Sequence, residues 1–112
     1  MTGEIKCDSV YTKCILKLMR FEWDETKNQQ NQQKHQISFE EATEIFQRVT
    51  FTFVSNKIDY SEIREVSIGT IQNVVVVAVI HTDRQGKIRI ISARKATPKE
   101  RRKYYDHLTQ TP

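Results

Sequence analysis

Seven consecutive residues, VVVVAVI at 74–80, are apolar in both alternations of a strand. Successive strand side chains point to opposite faces, so a segment that is apolar in either register marks a central strand rather than an edge. The rest of this 112-residue chain has to be arranged around it. A chain of that length accommodates one domain with a single core between packed layers.

The neighbouring segments read as strands and capped helices. Residues 62–71 place Ile63, Val66 and Ile68 among polar neighbours, and predict a strand that ends in a tight turn at Gln72 and Asn73. His81 closes the central strand, TDRQGK at 82–87 reads as a turn with Gly86 supplying freedom, and IRIISAR at 88–94 is the next strand. Another strand is expected around 51–54, followed by a polar break through Asn56 and Asp59. ISFEEATEIF offers Ser38 as N-cap with Glu41 three residues on, a capping box, and sets Phe39, Ala42, Ile45 and Phe46 on one helical face. TPKE repeats the device with Thr97, Pro98 and Glu100, and its helix should run to about Leu108. Residues 25–34 are harder to place. Asp24 sits as an N-cap would, yet the segment has no large apolar residue, and NQQNQQ also suits a polar linker. Approximate alternation from Ile15 through Met19, Phe21 and Trp23 predicts a first strand ending at Asp24. The expected fold is α+β: a mainly antiparallel sheet of about four to five strands with helices against one face. Residues 1–18 read as a loose extension, 19–108 as the domain and 109–112 as a tail.

Composition narrows the function. With 38% hydrophobic and 29% charged residues the chain is an ordinary globule, and the net charge of +4 is unevenly spread. Residues 87–103 carry eight Lys or Arg against one acid, Glu100, which points to an anionic partner, nucleic acid ahead of membrane. Cys7 and Cys14 fit no metal or redox spacing and read as reduced thiols of a cytoplasmic protein. Residues 10–19 are broken by Lys13 and Lys17, a poor signal-peptide core, and no apolar run approaches the ~20 residues of a membrane span. His35, His81 and His107 lack ligand spacing, three glycines form no phosphate loop, and Ser92 is mid-strand, so no metal or cofactor is expected.

Four cations in the segment 87–95 exceed what a core strand needs. Arg89 and Arg94 are the candidates for a phosphate clamp, because a guanidinium fork holds phosphate bidentately. His81, leading into the turn before that strand, could sit beside Arg89 at one sheet end and move a proton near neutral pH. His35 either does the same or complements a helix C-terminal dipole. Glu100 is a capping-box acid or a second proton-transfer group, and Tyr104 either packs or touches substrate.

Two stretches together resemble the BrnT family of bacterial type II toxins. FEWDETKNQQNQQKHQISFEEATEIF is similar to the family's opening pattern FxWDxxKxxxNxxKHGISFEEA, and HTDRQGKIRIISARKATPKERRKYY to its closing pattern. The resemblance spans Met19 to about Tyr105. It implies a compact RelE-like fold, an endoribonuclease that arrests growth by cleaving RNA, and neutralisation by a BrnA-type antitoxin in an oligomeric complex that binds operator DNA through the antitoxin. Metal independence is expected from the missing ligand spacing. Residues carrying the pattern are Lys34, His35, His81, Arg84, Arg89, Ser92, Arg94, Lys95, Glu100 and Tyr104. In this reading Arg89 and Arg94 stabilise the phosphorane, His81 is the first choice for acid or base with His35 or Glu100 as partner, and Lys34, Arg84, Lys95 and Tyr104 hold RNA. Three departures stand out: Gln36 where the family has Gly, Asp83 for Glu, and a chain that begins well before Met19. Two other readings stay open, a nucleic-acid-binding module that does not cut and a degenerate toxin that binds only its antitoxin.

Overall fold

The computed structural model describes residues 20–55, 62–72 and 74–110. The expected loose extension over 1–18, the start of the first strand at Ile15 and the position of Asn73 lie outside the described residues. Within them the order is β1 (Arg20–Glu22), α1 (Glu25–His35), α2 (Phe39–Ala42) running on as a 3-10 helix (Thr43–Gln47), β2 (Phe51–Val54), β3 (Glu65–Ile71), β4 (Val75–Arg84), β5 (Lys87–Lys95) and α3 (Pro98–Gln110).

The five strands form one sheet in the order β1-β5-β4-β3-β2. Three pairings are antiparallel, and β1 runs parallel to β5 with Glu22 opposite Arg89, so the sheet is mixed. β4 lies at its centre, where the apolar run required it. Alternate residues of β4 enter two different cores. Val77 and Val79 pack with Phe39, Ala42, Ile45, Ile90 and Ala93, whereas Val76 and Ala78 pack with Val66, Ile68, Ala96 and Tyr104. The sheet is therefore covered on both sides, α2 on one face and α3 on the other, and not on one face as expected. A strand apolar in both registers needs exactly that double cover to keep its valines from water.

The central strand also continues past His81. It runs to Arg84 and turns over two residues, Gln85 at φ 53° and Gly86 at φ 85°. Positive φ at both central positions matches the twist of a two-residue hairpin, so Thr82, Asp83 and Arg84 pair with β5 instead of looping out. Between Ile80 and His81 the register shifts: Ile80 faces Ser92 and His81 faces Ile90, leaving Ile91 as the extra residue of a bulge.

α1 forms despite having no apolar stripe. Asp24 caps it, accepting from the Thr26 and Lys27 N–H groups at 2.9 and 3.2 Å. Two buried amides then attach it. Asn28 accepts the Phe39 N–H at 2.8 Å and donates to Glu40, while Asn31 donates to the carbonyls of Ile37 and Ala93 at 2.9 and 2.8 Å and accepts the Ala93 N–H at 3.2 Å. The helix ends on Gln36 in the left-handed conformation (φ 59°, ψ 30°), a position where glycine carries no Cβ penalty. Both capping boxes form. The Ser38 hydroxyl accepts from Glu41 N–H at 3.0 Å, and the Thr97 hydroxyl from Glu100 N–H at 3.1 Å.

Candidate functional site

The register of β5 decides which candidates can act together. Arg94 stands opposite Ala78, on the α3 face, whereas His81 has the parity of Val77 and Val79 and meets the Phe46 ring edge-on at 5.2 Å on the α2 face. His81 and Arg89 do lie on adjacent strands at one end of the sheet, as expected, but their side chains leave opposite faces: Arg89 is opposite Thr82, one residue beyond His81.

On the α3 face a groove of about 390 Å³ is lined by Arg94, Glu100, Arg64, Ser92, Ile80 and Phe53, among others. Arg94 is delivered there by the end of β5, and Glu100 by the first turn of α3. The two meet fork to fork: Nη1 donates to Oε1 at 2.7 Å and Nη2 to Oε2 at 2.9 Å. Glu100 Oε1 also accepts the Thr97 N–H at 2.9 Å, so one carboxylate completes the helix cap and holds the guanidinium. The hydrogen bonds from Arg94 hold the Glu100 carboxyl below the usual range against the opposing effect of burial, and the same pair raises Arg94. The site is an ionised donor–acceptor pair at the wall of an open groove. It can bind an anion through the fork or accept a proton at the carboxylate.

His81 is only 5% exposed. Its Nε2 is 2.7 Å from the Ser67 hydroxyl, which is itself 2.7 Å from that of Thr52, and Nδ1 is 3.9 Å from Glu65. Burial pushes its pKa below 6.5, with Glu65 acting in the opposite direction. The imidazole lines a second depression with Glu62, Glu65 and Asp83, a wall of acids rather than of phosphate-binding cations.

The remaining candidates are scattered. Arg89 donates to Glu22 at 3.2 Å, with Lys87 of the same strand 3.9 Å from that carboxylate. Arg84 donates to Glu62 at 3.2 Å. Lys34 is exposed and His35 half-buried at the end of α1, and neither lines the Arg94 groove. Lys95 is exposed at the end of β5. Tyr104 is buried under α3 at 4% exposure, which overturns its expected place at the RNA surface. The neighbouring Tyr105 is the exposed ring, a residue missed because nothing in YY alone says which ring faces the sheet. Also unforeseen were Glu22, Ser67 and the amide of Asn31, which grips the backbone of Ala93 between Ser92 and Arg94. Among the described residues no group of three or more His, Cys, Asp or Glu side chains is placed to hold a metal ion, and no helix is long and apolar enough to cross a membrane.

The chain is thus a small mixed-sheet α+β domain with a guanidinium–carboxylate pair at the wall of a surface groove. Residues 23–100 match the family described as the ribonuclease toxin, BrnT, of type II toxin–antitoxin systems. A solved structure, that of the Brucella abortus ribonuclease toxin BrnT, superposes with a TM-score of 0.58 at 31% identity, covering 70% of this chain and 97% of that one. No curated protein matches the chain. The chain belongs to the BrnT family.

Proposed function

We propose that this BrnT-family protein is a metal-independent endoribonuclease whose cleavage site is the Arg94–Glu100 groove. The observation that carries the reading is the bidentate pair itself, because it sets a fork for phosphate and a proton acceptor side by side in an open groove. A substrate phosphate entering the groove competes for the guanidinium. As Arg94 turns part of its fork to the non-bridging oxygens, Glu100 loses the contact that depresses its pKa and becomes the stronger base. It then takes the proton of the 2′-hydroxyl as that oxygen attacks phosphorus. Arg94 stabilises the extra charge of the phosphorane, the bond to the 5′-oxygen breaks, and a water protonates the leaving oxygen. The products are a cyclic phosphate and a 5′-hydroxyl. In this scheme Arg89 lends field from the same sheet face, and Arg84, Lys34 and Lys95 attract the backbone electrostatically. His81 and His35 take no part, since neither lines the groove.

The partner in this reading is a BrnA-type antitoxin that masks the groove in an oligomeric complex and carries it to operator DNA, with the toxin acting on cytoplasmic RNA. The test has two arms. Purified protein should cleave RNA in EDTA and leave cyclic phosphate ends, and induced expression should arrest growth unless the adjacent reading frame is co-expressed. Cleavage abolished by chelation and restored by magnesium or manganese would refute the mechanism, and RNA binding with no cleavage would reduce the protein to a binding module.

A further inference from the structure

Four cations of β4 and β5 are answered by carboxylates: Arg84 by Glu62, Arg89 and Lys87 by Glu22, and Arg94 by Glu100. Lys95 and Arg101, which flank the loop from β5 into α3, are exposed and form no ion pair among the described residues. They border a shallow depression of about 280 Å³ whose other walls are Val74, Val75, Val76 and Tyr105. No acid lines it. Tyr105 is 49% exposed, and its ring stands against that of buried Tyr104 at 5.4 Å and 61°, so a core residue backs one side of an aromatic surface open to solvent.

An apolar floor, one exposed ring and two unanswered cations suit a nucleobase with phosphate on either side of it. Aromatic faces stack any base, and Lys and Arg neutralise the flanking phosphates. A protein surface would have to bring acids to both cations and an apolar group between them. The depression and the cleavage groove share no lining residue, but adjacent residues of the chain line the two. The last two residues of β5 divide between them, Arg94 to the groove and Lys95 to the depression, and the first turn of α3 does the same with Glu100 and Arg101. An RNA strand with a phosphate at Arg94 would have to cross the β5–α3 turn to place a nearby nucleotide on Tyr105.

We propose that Tyr105, Lys95 and Arg101 form a subsite for a nucleotide flanking the scissile bond of single-stranded RNA, a proposal that rests on the ribonuclease reading. The subsite sets affinity, and Tyr105 stacks the base while the two cations hold its phosphates.

The probe is a fluorescent 12-nucleotide RNA of mixed sequence with 2′-O-methyl groups throughout, which binds but cannot be cut, titrated at several salt concentrations. Tyr105→Leu should bind about ten- to a hundredfold more weakly, and Tyr105→Phe close to wild type. Lys95→Gln and Arg101→Gln should each reduce the slope of log affinity against log salt by about 0.7. With unmodified RNA the Tyr105→Leu loss should appear as a raised KM rather than a lowered kcat. Should Tyr105→Leu unfold, the two exposed cation variants decide the matter through the salt slope alone. Unchanged affinity in Tyr105→Leu, or unchanged slopes in both cation variants, would overturn the subsite. So would a Tyr105→Leu protein that keeps its RNA affinity but no longer co-purifies with the antitoxin, since the patch would then be a protein-docking surface. Cleavage by wild type with an unaltered KM in Tyr105→Leu removes only the subsite, whereas failure of wild type to cleave removes the ribonuclease reading beneath it.

Discussion

Replacing Arg94 by lysine separates a planar fork from a point charge. The guanidinium makes two short contacts to Glu100, at 2.7 and 2.9 Å, and an ammonium in its place can keep only one. The pair is partly exposed, 32% at Arg94 and 16% at Glu100, so solvent screens much of it. Losing one arm should cost about 1 kcal/mol of stability, a fall in Tm of about 4–8 °C for a domain of this size. The effect on cleavage should be far larger. If the fork holds the phosphorane, one lost transition-state contact costs about 3 kcal/mol, a hundredfold or more in rate. Arg94→Lys should therefore fail nearly as badly as Arg94→Ala, while Lys99→Ala, an exposed change in the first turn of α3, should leave the rate close to wild type. The assay is single-turnover RNA cleavage alongside thermal denaturation for all three variants. A folded Arg94→Lys protein cutting at a near-normal rate would refute the reasoning and reduce Arg94 to a point charge.

Asn31→Ala should destabilise the fold by about 3 kcal/mol, because the Ile37 carbonyl and both backbone groups of Ala93 lose a buried partner; urea unfolding with an unchanged m-value checks it, and a loss under about 1 kcal/mol would mean that water replaces the amide. His81 sets a pH dependence. Its folded pKa lies below 6.5, so on acidification the unfolded chain takes the proton first, and stability that is complete above pH 6.5 should decline as pH falls through the folded value. Denaturant midpoints between pH 7.5 and 5 should show that decline in wild type and lose it in His81→Asn; a wild-type profile that is flat or rises toward acid would sink the assignment.

What the sequence disclosed follows from how local each feature is. The two capping boxes were legible because Ser38–Glu41 and Thr97–Glu100 close within four residues, and the central strand because its apolar run is longer than any turn. Gln36, noted only as a departure from the family's glycine, turns out to hold a left-handed helix end. The parallel pairing of β1 with β5 joins residues far apart in the chain and leaves no periodic trace. The second helical layer was implied by the double-sided run at 74–80 but needed the register to be seen. For the site, Arg94 and Glu100 were both named, yet their pairing was not, and the bulge at Ile91 puts Arg89 on the face opposite His81, which alternation read straight through β5 could not show. Asn28 and Asn31 were invisible as anchors because a helix held by amides has no hydrophobic period.

That mode of attachment has a mechanical consequence. Helices seated on an apolar stripe can creep along it, since contact area changes little with a small shift. α1 has no such latitude, because Asn31 meets one peptide of β5 and Asn28 one of α2. Asn31 also stands where a further strand would pair: β1 accompanies β5 only at Lys87, Ile88 and Arg89, and beyond that the amide takes up the outward N–H and C=O of Ala93. A single side chain thus finishes the sheet margin that the short first strand leaves open. Without it the bare margin beside Arg94 would be available to an extended segment of another chain, and the loss of one amide would invite association as well as loosening.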